Sequence, residues 1–229
     1  MPRNRLPPRH HSAEKQAAIR TQINIEESQA SEWSQAHPVP KSDGQWRLTI
    51  DFVQLNATTK GLEGWPIPNI LETLMRLGTM KPTCFDLLDF TAGYHQTPLD
   101  LASCKLTAFR AASGLYQWNR VAMGLKGAGP DFQRTMQNKV LNGLVYEICE
   151  IYINDVLIHG KSDPEFLDNT RCVFERLRDK NVVVNPRKTE LGLAEVKYVG
   201  HPVSATGTSF TPGKRMKALN FPQPLREML

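Results

Sequence analysis

The sequence predicts an α+β fold in which short, mostly antiparallel strands are backed by a few helices. Alternating apolar runs meet at turn signals at Ser42-Asp43-Gly44, Ser113-Gly114 and Asn154-Asp155, the pattern of β-hairpins. The segment SDPEFLDNTRCVFERLRDK, Ser162 to Lys180, has clear helical periodicity. Helices interrupt the strands without the regular rhythm of a parallel sheet. No internal repeat, heptad or low-complexity tract points elsewhere.

Residues 1–36 are polar and mixed, with a short helix expected over Ala13–Ile23 and a loop over 26–38; this segment would not fold alone. The Ser42-Asp43-Gly44 turn separates Val39 from the alternating Trp46, Leu48, Ile50 and Phe52, a hairpin that buries one face. After an extended proline segment, Asn69 is placed to cap a helix with Ile70, Leu71, Leu74, Met75 and Leu77 on its apolar side and Gly78 as its stop. TCFDLLDF, Thr83 to Phe90, reads as a buried strand, and the chain around Ser113-Gly114 as a second hairpin. Gly124, Gly127, Gly129 and Pro130 open a helix from about Asp131 to Leu141. In the clearest helix Asp163 is the cap, Pro164 takes the first helical position, and Phe166, Leu167, Val173, Phe174 and Leu177 form the stripe. VVVN and EVKYVGHPVS supply short strands near the end, with a turn at Asn185-Pro186.

At 229 residues and 40% hydrophobic, the chain can bury one sizeable core or two small ones. Its net charge of +5 is a mild pointer to polyanionic partners. Cys84, Cys104, Cys149 and Cys172 are scattered, without metal-ligand spacing, and read as reduced, buried apolar residues of an intracellular protein. The first residues, MPRNRLPPRHH, lack the apolar run of a signal peptide, and no stretch reaches membrane-spanning length.

Two acids sit where solvation alone would not put them. Asp89 lies in an otherwise apolar strand apart from Asp86, and Asp155 at a hairpin tip between the apolar runs Ile148–Ile153 and Val156–Ile158. A buried ionised carboxylate is costly unless something neutralises it. Either acid alone could be satisfied locally, by its own turn, a backbone N–H or an arginine. Together, if strand end and hairpin tip lie side by side, they could share a hard cation such as Mg²⁺. Two such ions about 4 Å apart suit phosphoryl displacement.

Five segments in order, WRLTIDFVQLN (Trp46 to Asn56), LLDFTAGYHQTPLD (Leu87 to Asp100), GLKGAGPDFQRTM (Gly124 to Met136), YINDVLIHGKS (Tyr152 to Ser162) and YVGHPVSATG (Tyr198 to Gly207), resemble the successive motifs of a reverse transcriptase of the gypsy-type LTR retrotransposons. The resemblance covers nearly three quarters of the chain. It implies fingers and palm subdomains, the palm an antiparallel, ferredoxin-like sheet backed by helices. It also implies RNA-directed DNA polymerisation, with two Mg²⁺ ions (Mn²⁺ as the alternative), an RNA template, a DNA primer and a dNTP. Asp89 and Asp155 match catalytic, metal-binding carboxylates, with Asn154 beside them and Lys188 matching a lysine that protonates the leaving pyrophosphate. Arg47, Gly93, Tyr94, Met123 and Gly124 match nucleotide-binding positions, Arg47 gripping the triphosphate and Tyr94 excluding the 2′-hydroxyl. Phe132, Gln133, Tyr198, Gly200 and His201 match positions that contact template or primer.

The chain departs from the family where Asn154 replaces an aspartate, which keeps a carbonyl oxygen but removes a charge. Ala122 stands in place of a proline, Val53 in place of an arginine, and the Gly129-Pro130 step is shifted. Impaired catalysis is therefore expected, and the alternative is an inactive nucleic-acid-binding relic of such a domain. A small RNA-recognition module is a remoter reading, disfavoured by the lack of its basic and aromatic stacking signature. The expected organisation is a polar N-terminal extension with partial fingers over 1–36, a fingers and palm domain over 37–204, and a truncated link toward a missing thumb over 205–229. Other segments of a Gag-Pol polyprotein, thumb and RNase H, are the expected partners, no membrane is expected, and the expected location is the cytoplasm or a virus-like particle.

Overall fold

The computed structural model describes residues 24–40, 46–60, 64–111 and 113–208. In chain order its elements are β1 (Ile25–Glu27), β2 (Ser34–Pro40), β3 (Trp46–Asp51), α1 (Val53–Thr58), α2 (Ile70–Met80), β4 (Cys84–Asp89), α3 (Leu101–Cys104), β5 (Phe109–Ala111), β6 (Gly114–Trp118) and α4 (Ala128–Thr135). There follow β7 (Cys149–Tyr152), β8 (Asp155–Gly160), α5 (Asp163–Asp179), β9 (Glu190–Leu193), β10 (Glu195–Tyr198), β11 (His201–Ser204) and β12 (Gly207–Thr208). The chain forms two units, one of Met1–Trp65 with Ala92–Phe132, the other of Pro66–Thr91 with Gln133–Leu229. The expected helix over 13–23 and the turn at 42–44 lie outside the described residues.

The first unit is a five-stranded sheet in the order β1-β6-β5-β2-β3. Its core is Ala36, Leu48, Ile50, Phe52, Phe109, Trp118 and Ala122. β2 runs through what the sequence presents as a loop and through position 37. Only Ala36 of that strand is buried, opposite Ile50, so the chain carries almost no apolar alternation there. Beyond Gln35 the β5 side of β2 is unpaired, which is where Pro38 and Pro40, lacking an N–H, are tolerated.

The second unit is built on an antiparallel sheet ordered β7-β8-β4-β9. Period-two alternation sends Asp86 and Leu88 to one face and Phe85, Leu87 and Asp89 to the other. On the first face lies α5, whose Phe166, Val173 and Leu177 are buried. There the Thr170 hydroxyl (2.6 Å) and the Gly192 N–H (2.8 Å) both donate to Asp86, so this acid is locally satisfied. Gly160 permits the close approach of α5, because a Cβ there would meet the Phe166 Cα at 2.6 Å. On the second face Leu74 and Leu77 of α2, Phe85, Leu157, and Val196, Tyr198 and Val203 of the small β10-β11-β12 sheet form the core.

Several boundaries differ from expectation. Asn69 caps α2 by accepting from the Leu71 N–H at 3.0 Å, but the helix passes Gly78 and ends at Lys81 in the left-handed region. Leu71, Met75 and Leu167, expected in apolar stripes, are exposed, because each helix buries a single narrow face. α4 starts at Ala128 rather than Asp131, with Pro130 in a first turn whose N–H groups have no helical acceptor. The helix then continues as a π-helical turn over Met136–Val140. Ser162, not Asp163, is the cap position of α5. All four cysteines are free thiols; Cys104 and Cys149 are buried, whereas Cys84 is partly exposed and Cys172 exposed rather than buried.

Candidate metal and nucleotide site

In the second unit Asp89 ends β4 and Asp155 begins β8, and the two are directly paired across the antiparallel ladder. Partners opposite one another bring their Cβ atoms to about 5 Å on the same face. The Asp89 side chain is partly exposed, and Asp155 is half-buried. Burial, and then the neighbouring Asp89, push the Asp155 carboxyl above its ordinary range, while Lys188 pulls the other way. Two carboxylates held this close need a cation.

Part of that need is met by Lys188, whose Nζ lies 3.3 Å from Asp89 Oδ2. Its turn is fixed by the same residue's backbone: the Asn185 N–H donates to the Asp89 carbonyl at 2.7 Å, and the Asn185 carbonyl accepts from the N–H groups of Lys188 and Thr189. The hairpin tip is Ile153-Asn154, with Tyr152 paired to Asp155, so the turn lies one residue earlier than the sequence suggests. Asn154 Oδ1 is buried and has no hydrogen-bond partner. An orphaned carbonyl oxygen on the residue next to Asp155, with the two paired carboxylates, offers donors of the kind a hard divalent cation takes. Among the described residues no three His, Cys, Asp or Glu side chains are grouped to hold a metal; the set is two carboxylates and an amide.

Beneath this edge Glu150, only 1% exposed, is gripped by Arg76, whose Nε and an Nη each donate at 2.9 Å. The Arg76 guanidinium also lies over the Tyr146 ring at 4.4 Å. Sequence inspection did not single out this pair; an acid in the apolar run CEIYI was the available signal. Tyr198, which resemblance places at the primer end, is 1% exposed with its hydroxyl unpaired. Burial first, then Glu150 and Asp155, raise that hydroxyl well above the usual range. A side chain so enclosed is core rather than a contact surface. Val199 and Gly200 form the β10–β11 turn, and His201, partly buried, opens β11.

Gln133 is likewise wholly buried and hydrogen-bonded to the hairpin: its Nε2 donates to the Ile151 carbonyl at 3.2 Å, and its Oε1 accepts from the Ile153 N–H at 2.7 Å. In the first unit Phe132 is 4% exposed and packs edge-on against Tyr94, centroids 5.4 Å apart. The side chains of Phe132 and Gln133, expected at the template, are thus both buried and packed or hydrogen-bonded within the protein. Gly93 is buried in the turn that carries Tyr94, Arg47 is exposed on β3, and Met123 is exposed beside Gly124. Gly124, at φ 95°, is fastened by Asn56, whose Nδ2 donates to its carbonyl and whose Oδ1 accepts from the Lys126 N–H, both at 2.8 Å. This brace was not foreseen, although Asn56 closes the first quoted motif.

Residues 39–203 match the family described as reverse transcriptase (RNA-dependent DNA polymerase). The chain is 32% identical over 225 residues to the retrovirus-related Pol polyprotein from transposon 297 of Drosophila melanogaster, covering 95% of this chain and 21% of the polyprotein. It is 34% identical over 178 residues to that from transposon gypsy of the same organism, covering 78% and 17%. It thus spans about a fifth of the length of these relatives. The foamy viral protease-reverse transcriptase, solved in complex with an RNA/DNA hybrid, shares the fold at a TM-score of 0.74 and 20% identity, over 93% of this chain and 29% of that one.

Proposed function

Because the chain belongs to the reverse transcriptase family, with the fold of fingers and palm, we propose that it is the RNA-directed DNA polymerase domain of a gypsy-type retrotransposon polyprotein. Its reaction would join a dNTP to a primer 3′-hydroxyl opposite an RNA template. The observation that carries this reading is the direct pairing of Asp89 with Asp155 beside the orphaned oxygen of Asn154.

These three residues would hold the divalent ions, Mg²⁺ or Mn²⁺, and the nucleotide's phosphate oxygens would complete the shell. When bound, such ions supply charge stabilisation to the attacking and leaving oxygens. The 3′-hydroxyl would give its proton to solvent as its oxygen attacks the α-phosphorus, the bond from that phosphorus to the bridging β-phosphate oxygen would break, and pyrophosphate would leave. Lys188 holds Asp89 in place before the ions arrive, and its exposed ammonium is free to turn to the pyrophosphate and give it a proton. By resemblance Arg47 grips the triphosphate, Gly93, Met123 and Gly124 shape the nucleotide position, and Tyr94 excludes the 2′-hydroxyl.

A second reading, a nucleic-acid-binding relic without catalysis, is favoured by one feature: Asn154 leaves the ions one charge short. Primer extension on an RNA template, with the parent polyprotein and with Asp155→Ala, tests the first reading. Extension that Asp155→Ala abolishes supports it. Tight, salt-sensitive binding of an RNA/DNA hybrid with no extension, in Mg²⁺ or Mn²⁺, supports the relic.

A further inference from the structure

The tip of the β7–β8 hairpin contains a residue that should not be there. Ile153 has φ 54°, and a β-branched side chain in the left-handed region is a steric outlier. Asn154, the second loop residue, is not in that region. A positive φ at the first position of a two-residue hairpin loop is one that glycine normally takes. Strain of this kind persists only where the surroundings over-determine it.

Gln133 supplies the over-determination. Its amide spans the tip, donating to the Ile151 carbonyl, three residues before Asn154, and accepting from the Ile153 N–H, one residue before it. The orientation of the amide is fixed, since only its oxygen can face an N–H. Placed on α4 just ahead of the π-helical turn and wholly buried, Gln133 has no freedom to follow if the tip relaxes. We propose that Gln133 is a positioning residue: it locks Ile153 in the left-handed conformation and thereby fixes the peptide that carries Asn154 and Asp155 toward the cation. The consequence for the cation rests on the polymerase reading above; the lock itself does not.

The test removes the lock and then the strain. Gln133→Met keeps the length but neither hydrogen bond. The Ile153 amide is expected to exchange with solvent about tenfold faster, and Mn²⁺, read by broadening of the Asn154 and Asp155 amide signals, to bind several-fold more weakly. Adding Ile153→Gly, which takes a positive φ freely, is expected to restore the Mn²⁺ affinity and the melting temperature although the hydrogen bonds stay lost. Unchanged exchange in Gln133→Met, or no recovery in the double variant, would overturn the proposal and leave Gln133 as core filling. If wild-type protein shows no Mn²⁺ response the functional reading fails, while exchange and melting temperature still decide the lock. If Gln133→Met folds only together with Ile153→Gly, that is the rescue itself. If neither variant folds, the wild-type amide decides: protection of Ile153 equal to that of Val156 supports the lock, and free exchange overturns it.

Discussion

Two hairpins of the second unit close on two-residue loops that begin with a β-branched residue, and they meet the same steric difficulty differently. In the β10–β11 loop Val199 stands at φ 48° and Gly200 at φ 80°, the double left-handed geometry of a type I′ turn, in which glycine takes the second position without strain. Val199 also packs on the core around Tyr198. In the β7–β8 loop no glycine helps, and Ile153 is held from outside by Gln133. The first turn is supported by its own sequence and packing. The second is supported by a neighbouring helix, and it is the one that carries the candidate metal ligands. A tip held from outside has its geometry set by the scaffold, as a ligand site requires.

The comparison can be broken from below. β7 is anchored by the Arg76–Glu150 pair. Arg76→Ala strands a carboxylate that is 1% exposed, and the expected loss is about 4 kcal/mol in urea denaturation. A loss below about 1 kcal/mol, the scale of a surface pair, would show that β7 is not held this way.

Acid should then distinguish the strands. Burial lowers His159 on β8 from 6.5 to about 4. The unfolded chain takes up its proton first, so stability falls as pH drops from about 6.5 to 4 and levels off below, by about 3 kcal/mol in all. His159→Phe should flatten that limb of the pH–stability curve. An unaltered limb in the variant would assign the acid sensitivity elsewhere.

At the tip, Asn154→Asp adds a charge beside Asp155 and Asp89. In chelator it should lower stability by about 2 kcal/mol, since the new carboxylate has no partner, and it should gain more from added Mg²⁺ than the parent does. Equal Mg²⁺ gains in the two proteins would mean that position 154 does not face the cation. The smallest effects come from the loops themselves. Ile153→Gly relieves strain and should stabilise by about 1 kcal/mol, whereas Val199→Gly loses core packing and should destabilise by about as much. The same sign at both sites would remove the distinction between the turns.

Much of this arrangement is written locally in the chain. Alternation marks β3, apolar runs mark β4 and β8, and the Asn69 cap and Pro164 mark two helices. Asp89 and Asp155 stand out because carboxylates are rare in apolar strands. What escapes inspection depends on partners far along the chain. β2 has one buried residue, so its membership in a sheet is decided by β3 and β5. The expected strand at Val182–Asn185 makes only the isolated Phe90–Val184 bridge, and the strand that pairs with β4 is the later β9, Glu190–Leu193, which is mostly exposed. By resemblance Gln133 reads as a template contact, and glutamine is mostly exposed. Its burial follows from an unusual turn 20 residues away, and no local pattern announces that.

One divalent-cation site made of Asp89, Asp155 and the Asn154 oxygen has a direct spectroscopic signature. Mn²⁺ titrated into the isotope-labelled chain should give saturable broadening of the backbone amide signals centred on Asp89, Asn154 and Asp155, and Asp155→Ala should abolish it. Broadening that is centred elsewhere, or that survives Asp155→Ala unchanged, would mean that these residues do not form the site.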